Sequence, residues 1–269
     1  LNAYFAFNVV GNAHHPVSWQ IALAAVFVSG LLFIVFSLFK VREAIVNALP
    51  MSLNMSIAAG IGLFLALIAL KGAGIVVGNP ATLVSMGDVH DPRALLALMG
   101  FFMIIVLDYY RIRGAIILSI LTITAIAMVT GLAEYHGVVG SIPSIVPTFM
   151  QMDFNGLFNL SMVSVIFVFF LVDLFDSTGT LVGVSHRAGL LRDGKLPRLK
   201  KALLADSTAI VAGAALGTSS TTPFIESAAG VAAGGRTGLT AVLVGLLFLA
   251  CLWFAPLASS VPAFATAPA

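Results

Sequence analysis

Three carboxylic acids, Asp173, Asp176 and Glu226, stand in stretches otherwise built from apolar and small residues. The first two lie in SMVSVIFVFFLVDLFDSTGTLVGV (161–184), the third in GTSSTTPFIESAAGVAAGG (217–235). An ionised acid in hydrocarbon is costly unless it is paired, hydrated or neutralised. Acids in such segments therefore face a cavity and mark an ion or substrate path. Asp173 and Asp176 are spaced i, i+3, so on a helix they share roughly one face. Two carboxylates that close in a low dielectric do not both ionise readily, and at least one is expected to hold a proton. The competing reading is that one of them caps or braces a neighbouring helix.

Glu226 follows Thr221, Thr222 and Pro223, between Gly217 and Gly230. Pro223 has no N–H, so the backbone here is expected to be irregular. Exposed amides and carbonyls beside a carboxylate suit a flat, hydrogen-bonding solute. Otherwise Glu226 is satisfied by the N–H groups of a helix start. At the other end of the chain, Asn2, Tyr4, Phe5 and Asn8 combine amides with aromatic rings, which suit an aromatic heterocycle as well as they suit packing. Asp206, five residues after Lys201, is read as a structural acid pairing with a loop cation.

Other patterns lead nowhere. Asp176-Ser177-Thr178-Gly179 has a Ser too many for an aspartic protease motif, and no second copy supplies the partner acid. Gly183 and Gly189 lack the strand-turn-helix setting of a nucleotide loop. His14, His15, His90 and His136 show no metal-ligand spacing, and His186 reads as a loop charge. Neither an enzyme nor a metal site is expected.

The elements that must position the acids are membrane spans. The chain is 60% hydrophobic and 9% charged, with a mean hydropathy of +1.09, against about 25% charged in soluble domains. Cys251 is the single cysteine and cannot form an internal disulfide. The net charge of +2 says nothing about nucleic acid, because the basic residues are dispersed over loops, and no nucleic-acid partner is expected. Runs near 18–39, 51–71, 94–110, 114–132, 159–184, 201–217 and 237–258 are long enough to cross about 30 Å. Residues 41–49 form a short helix between spans. Lys40, Arg42, Arg111, Arg113, His186, Arg187, Arg192, Lys195, Arg198, Lys200, Lys201 and Arg236 are all placed on one side, and that side is expected to be cytoplasmic. Lys71 and Arg93 fall outside the pattern.

The chain also repeats at an offset of 219 residues, with Phe5, Gly11 and Ser18 matching Phe224, Gly230 and Thr237. Ser18 and Thr237 each stand where an N-cap would open a long span. The two following helices run in opposite directions by the charge count, as in an inverted-repeat transporter with its site at the midplane.

The segments VDLFDSTGTLVGVSHRAGLL (172–191), ALLADSTAIVAGAALGTSSTTPFIESAAGVAAGGRTGLTAV (202–242) and LNAYF (1–5) resemble the AzgA-like branch of the nucleobase–cation symporter 2 (nucleobase/ascorbate transporter) family. The likeness runs along essentially the whole chain. It implies an all-α polytopic membrane protein, part of a 7+7 inverted-repeat fold with two short extended strands in broken segments. On that template the chain is a central fragment, running from the third segment into the twelfth. Residues 1–39 and 159–258 would belong to a core, 40–132 to a gate, 133–158 to an extracellular loop and 259–269 to a further gate segment.

By the same resemblance, Asp176 and Glu226 would be the substrate-binding acids of the eighth and tenth segments, and Asp173 a supporting acid. Asn2, with Ala3, Tyr4 and Phe5, would form the third-segment strand, and Thr222 and Phe224 would complete the substrate contacts. Thr180 takes the place of a His or Asp of other branches, which assigns proton coupling to Asp173 or Asp176. The implied activity is purine nucleobase (adenine, guanine or hypoxanthine):proton symport across a bacterial inner membrane. It needs no cofactor beyond the coupling proton. Purine and lipid are the expected partners, and a homodimer is compatible with the family. An anion exchanger of the related SLC26-like fold, or a membrane receptor without transport, is the alternative.

Overall fold

In hydrocarbon every backbone N–H and C=O must find a partner within its own segment, and each long apolar run here folds accordingly into a helix. The computed structural model describes residues 2, 4–11, 17–48, 50–112, 114–157, 159–192 and 196–269. The helices are α1 (Trp19–Leu38), α2 (Val41–Ala48), α3 (Met51–Gly72), α4 (Pro92–Tyr109), α5 (Ala115–Val129), α6 (Leu160–Arg187), α7 (Leu199–Leu216), α8 (Ser227–Ala232), α9 (Gly238–Ala250), α10 (Ala255–Ser259) and α11 (Ala263–Thr266). Five helical stretches are long and apolar enough to cross a membrane: Trp19–Leu38, Met55–Gly72, Pro92–Tyr109, Met162–Arg187 and Gly238–Ser259. The expected spans at 114–132 and 201–217 are helical too. They fall outside that group because α5 has 15 residues and α7 carries Lys200, Lys201 and Asp206.

The chain divides into two compact units, residues 1–61 with 144–240 and residues 62–143 with 241–269. The core and gate boundaries expected from the resemblance are at 39/40, 132/133, 158/159 and 258/259. In the first unit α1 packs on α7 and α6. Small residues set that approach: Ala22, Ala24, Ala25 and Ser29 are buried. A Cβ on Gly30 would lie 2.9 Å from both Ile210 Cγ2 and Val211 Cγ2, the close backbone contact that small residues permit between membrane helices. Phe33, Phe169, Leu174 and Ile210 fill the remaining core. Ser18 opens α1, its Oγ accepting from Ile21 N–H at 3.4 Å. Thr237 precedes α9, but its hydroxyl lies 3.4 Å from Thr240 Oγ1 and caps no backbone amide among the described residues.

In the second unit α4 and α5 pack around Ala97, Ile123 and Ala127, with Phe264 and Ala265 of α11 closing the core. Ser119 Oγ donates to Gly100 O at 2.9 Å across the helix pair. Between α3 and α4 an antiparallel hairpin pairs β1 (Val76–Asn79) with β2 (Leu83–Met86). Asn79 Oδ1 shapes its turn by accepting from Ala81 N–H at 2.8 Å.

These are the described strands, and their position corrects the expectation of strands in the broken segments. Tyr4–Val10 is instead helical, in the wide π geometry. Gly11 N–H donates to Ala6 O at 2.9 Å, five residues back. An apolar segment that bonds its own amides in this way leaves none for strand pairing.

Candidate functional site

The site is built where α7 stops. Gly217, at φ +91°, ends the helix. Its N–H donates to Ala214 O at 3.1 Å and that of Thr218 to Gly213 O at 2.9 Å, the left-handed glycine stop that satisfies the last carbonyls. A side chain at Gly217 would also run into Thr148, whose hydroxyl donates to Leu216 O at 3.2 Å. Residues 218–224 then form neither helix nor strand, as Pro223 and Gly217 predict, whereas Gly230, expected to bound the irregular stretch, lies inside helix Ser227–Ala232.

Glu226 directly precedes the six-residue α8, and its side chain makes no capping hydrogen bond. It is exposed and has no side-chain partner among the described residues, so the helix-cap reading of Glu226 is not supported. Asn2 reaches this segment, its Oδ1 accepting from Ser219 Oγ at 2.9 Å. The two stretches matched by the internal repeat therefore touch.

α8 packs on α6, and Asp176 on α6 is half-buried without a hydrogen bond among the described residues. Tyr4 and Phe5 are partly buried against Phe169, with ring centroids 5.5 Å and 6.3 Å away. Phe224 is 61% exposed, while Thr222 is half-buried and Thr180 is buried. Ala3, His14, His15, Arg113 and Lys195 lie outside the described residues, and for Asn8 the backbone alone is described. His90 lies 3.4 Å from Asp88 Oδ1 on the surface, and His136 lies 3.9 Å from Glu134 Oε2.

Asp173 has a different setting from Asp176. It is 2% exposed and belongs to a buried cluster. Arg42 Nη2 and Asp206 Oδ2 are 2.7 Å apart, with side chains 0% and 2% exposed. Arg42 Nη1 also donates to Ser207 Oγ at 3.1 Å, and the guanidinium lies 4.2 Å from the centroid of Phe33. Ser177 Oγ is 3.1 Å from Asp206 Oδ1 and 3.5 Å from Asp173 Oδ1.

Asp206 thus pairs with a cation, as expected, but the cation is fully buried and not a loop charge. Counting Arg42 among the solvated positive charges missed this. The available signal was one Arg on a short helix otherwise dominated by apolar and small residues, and one Asp in the apolar run at 201–217. Ser177 and Ser219 carried no signal of their own. Surface depressions near Gln20 and Asp153 and near Leu95 and Thr130 include none of the three acids.

Buried and half-buried acids on spanning helices beside a broken helix suit a transporter more than an enzyme. A model for the Permease family (Xan_ur_permease) matches residues 2–269. The chain belongs to that family. This permease is therefore grouped with transporters and not with enzymes.

It is 45% identical to the adenine permease AdeP of Escherichia coli, over 100% of this chain and 60% of that one. It is 44% identical to the guanine/hypoxanthine permease PbuG of Bacillus subtilis, over 94% of this chain and 58% of that one. A putative permease of Methanocaldococcus jannaschii is 46% identical over 94% of this chain and 58% of its own. The permease chain thus spans about 60% of the length of these curated relatives. Its fold is that of the transmembrane domain of a cyanobacterial bicarbonate transporter, BicA. The TM-score is 0.67 at 19% identity, over 93% of this chain and 65% of that one. Together these make the permease a multi-pass membrane protein.

Proposed function

We propose that the full-length protein is a purine nucleobase:proton symporter of a bacterial inner membrane and that this chain carries its substrate-contacting acids. The observation that carries the reading is Glu226, an uncapped carboxylate at the end of a broken segment that is tied to Asn2 through Ser219. The names of the adenine and guanine/hypoxanthine permeases supply the substrate class.

As a carboxylate, Glu226 accepts N–H donors from a neutral purine, a charge-assisted pairing stronger than a neutral one. Asp176, protonated from the outer side, donates to the base or releases it as its proton leaves. Phe224, the exposed ring beside Glu226, is the one placed to stack on a base. Tyr4 and Phe5, seated on Phe169, brace the segment that holds Asn2. The loops after α1, α4 and α6 lie in the cytoplasm. An anion exchanger would instead present a free cation at the site, whereas Arg42 is held by Asp206.

Competitive uptake in cells lacking their own carriers tests this. Adenine, guanine or hypoxanthine should displace labelled purine and uracil should not, with faster uptake at the lower of two external pH values. Uptake unaffected by every purine would overturn the proposal.

A further inference from the structure

The cluster at Asp173 presents an unequal set of partners. Arg42 and Asp206 form a compact ion pair, and among the described residues no cation forms a salt bridge with Asp173. Asp173 Oδ2 is buried without a hydrogen bond among the described residues, and Oδ1 has Ser177 alone, at 3.5 Å. An ionised carboxylate offers about four acceptor sites, whereas a serine hydroxyl has one proton to give and two lone pairs to receive with. Ser177 stands nearer to Asp206, at 3.1 Å. Its single proton is therefore best placed on Asp206 Oδ1, which leaves an oxygen lone pair directed toward Asp173.

We propose that Ser177 is a positioning residue for proton coupling. When Asp173 carries a proton, its O–H donates to Ser177 Oγ, Ser177 donates to Asp206, and Asp206 is held by Arg42. This rests on the proton-coupled reading above and deepens it by naming what holds the proton in place. The chain of bonds is complete with Asp173 neutral. When the proton leaves for water, two carboxylates compete for one hydroxyl proton, so the Arg42–Asp206 pair registers the proton load. Arg42 lies on α2 and Asp206 on α7, so a proton on α6 is linked to both helices. The charged groups acting on Asp173 are Asp206 and Arg42 across the helix contacts and Asp176 on its own helix. α1, also packed on α6, brings no titratable side chain. Tyr4 is engaged with Phe169, and Glu226 acts on Asp176.

Infrared difference spectra of the full-length protein between acidic and alkaline buffer test the relay without any purine. The expected result is a carboxylic-acid carbonyl band that is lost in Asp173→Asn and displaced in Ser177→Ala. A band that persists in Asp173→Asn, or stays put in Ser177→Ala, overturns the proposal. In uptake assays, Ser177→Ala should lower the external pH of half-maximal uptake by about one unit, the scale of one hydrogen bond between neutral groups, and Ser177→Thr should restore it. A purely structural role would scale uptake equally at every pH, which also overturns it. If Ser177→Ala does not fold, the Asp173→Asn spectra decide alone. Wild-type protein that shows the band but takes up no purine contradicts the substrate assignment and leaves the relay standing.

Discussion

Glu226→Gln should lower high-affinity purine uptake by the full-length protein by roughly 100-fold, the scale of one lost charge-assisted hydrogen bond. The substitution keeps the size of the side chain and changes only charge and donor pattern. Glu226 is exposed and caps no helix, so the folded protein should be as abundant as the wild type. Gln retains one carbonyl oxygen and replaces the other acceptor with an NH2, which opposes the N–H edge of a purine instead of receiving it. Saturation measurements should place the loss in apparent affinity. Glu226→Asp, which keeps the charge on a shorter stem, should recover part of it. Purine uptake unchanged in Glu226→Gln would remove Glu226 from the substrate contacts.

Arg42→Met should have the largest effect on folding. It leaves Asp206 buried with Ser177 and without its cation, and breaking a buried pair from one side costs about 3–5 kcal/mol. It also removes the guanidinium from the face of Phe33. The double variant Arg42→Met/Asp206→Leu removes both charges and should recover most of the loss, because an apolar replacement of a buried pair is often neutral. Thermal unfolding of the full-length protein in detergent, with yield as a second readout, checks this. Equal destabilisation of single and double variants would mean that the pair is not the buried unit described.

The span pattern was legible because a helix across hydrocarbon needs a long run of apolar residues, and α1, α3, α4, α6 and α9 have one. The break at Gly217 and Pro223 was legible for local reasons, since one residue adopts a left-handed φ and the other lacks an N–H. Tyr4–Val10 was not legible as a helix, because nothing in YFAFNVV distinguishes π-type bonding from extended backbone. The hairpin at 76–86 has a local turn signal in Asn79-Pro80 between β-branched residues, but it is too short to register in a pattern of membrane spans.

The acids divided unevenly. Glu226 and Asp176 stand out by composition, and the structure places them on elements that pack together, Glu226 at the start of α8 and Asp176 on α6. The i, i+3 spacing puts Asp173 on roughly the same helix face as Asp176, and in the structure it sits in the Arg42–Asp206 cluster. That difference comes from residues more than a hundred positions apart, and helical spacing on α6 cannot report it. Arg42 was obscured for the same reason: a charge count locates a cation by the span it follows, not by the acid it meets.

The most direct measurement of the central claim is purine accumulation in vesicles reconstituted with the full-length protein under an imposed inward proton gradient. Labelled hypoxanthine, guanine or adenine should accumulate above its external concentration, and a protonophore should collapse the accumulation to equilibrium. Purine that only equilibrates with the gradient intact, or accumulation that survives the protonophore, would contradict proton-coupled purine transport.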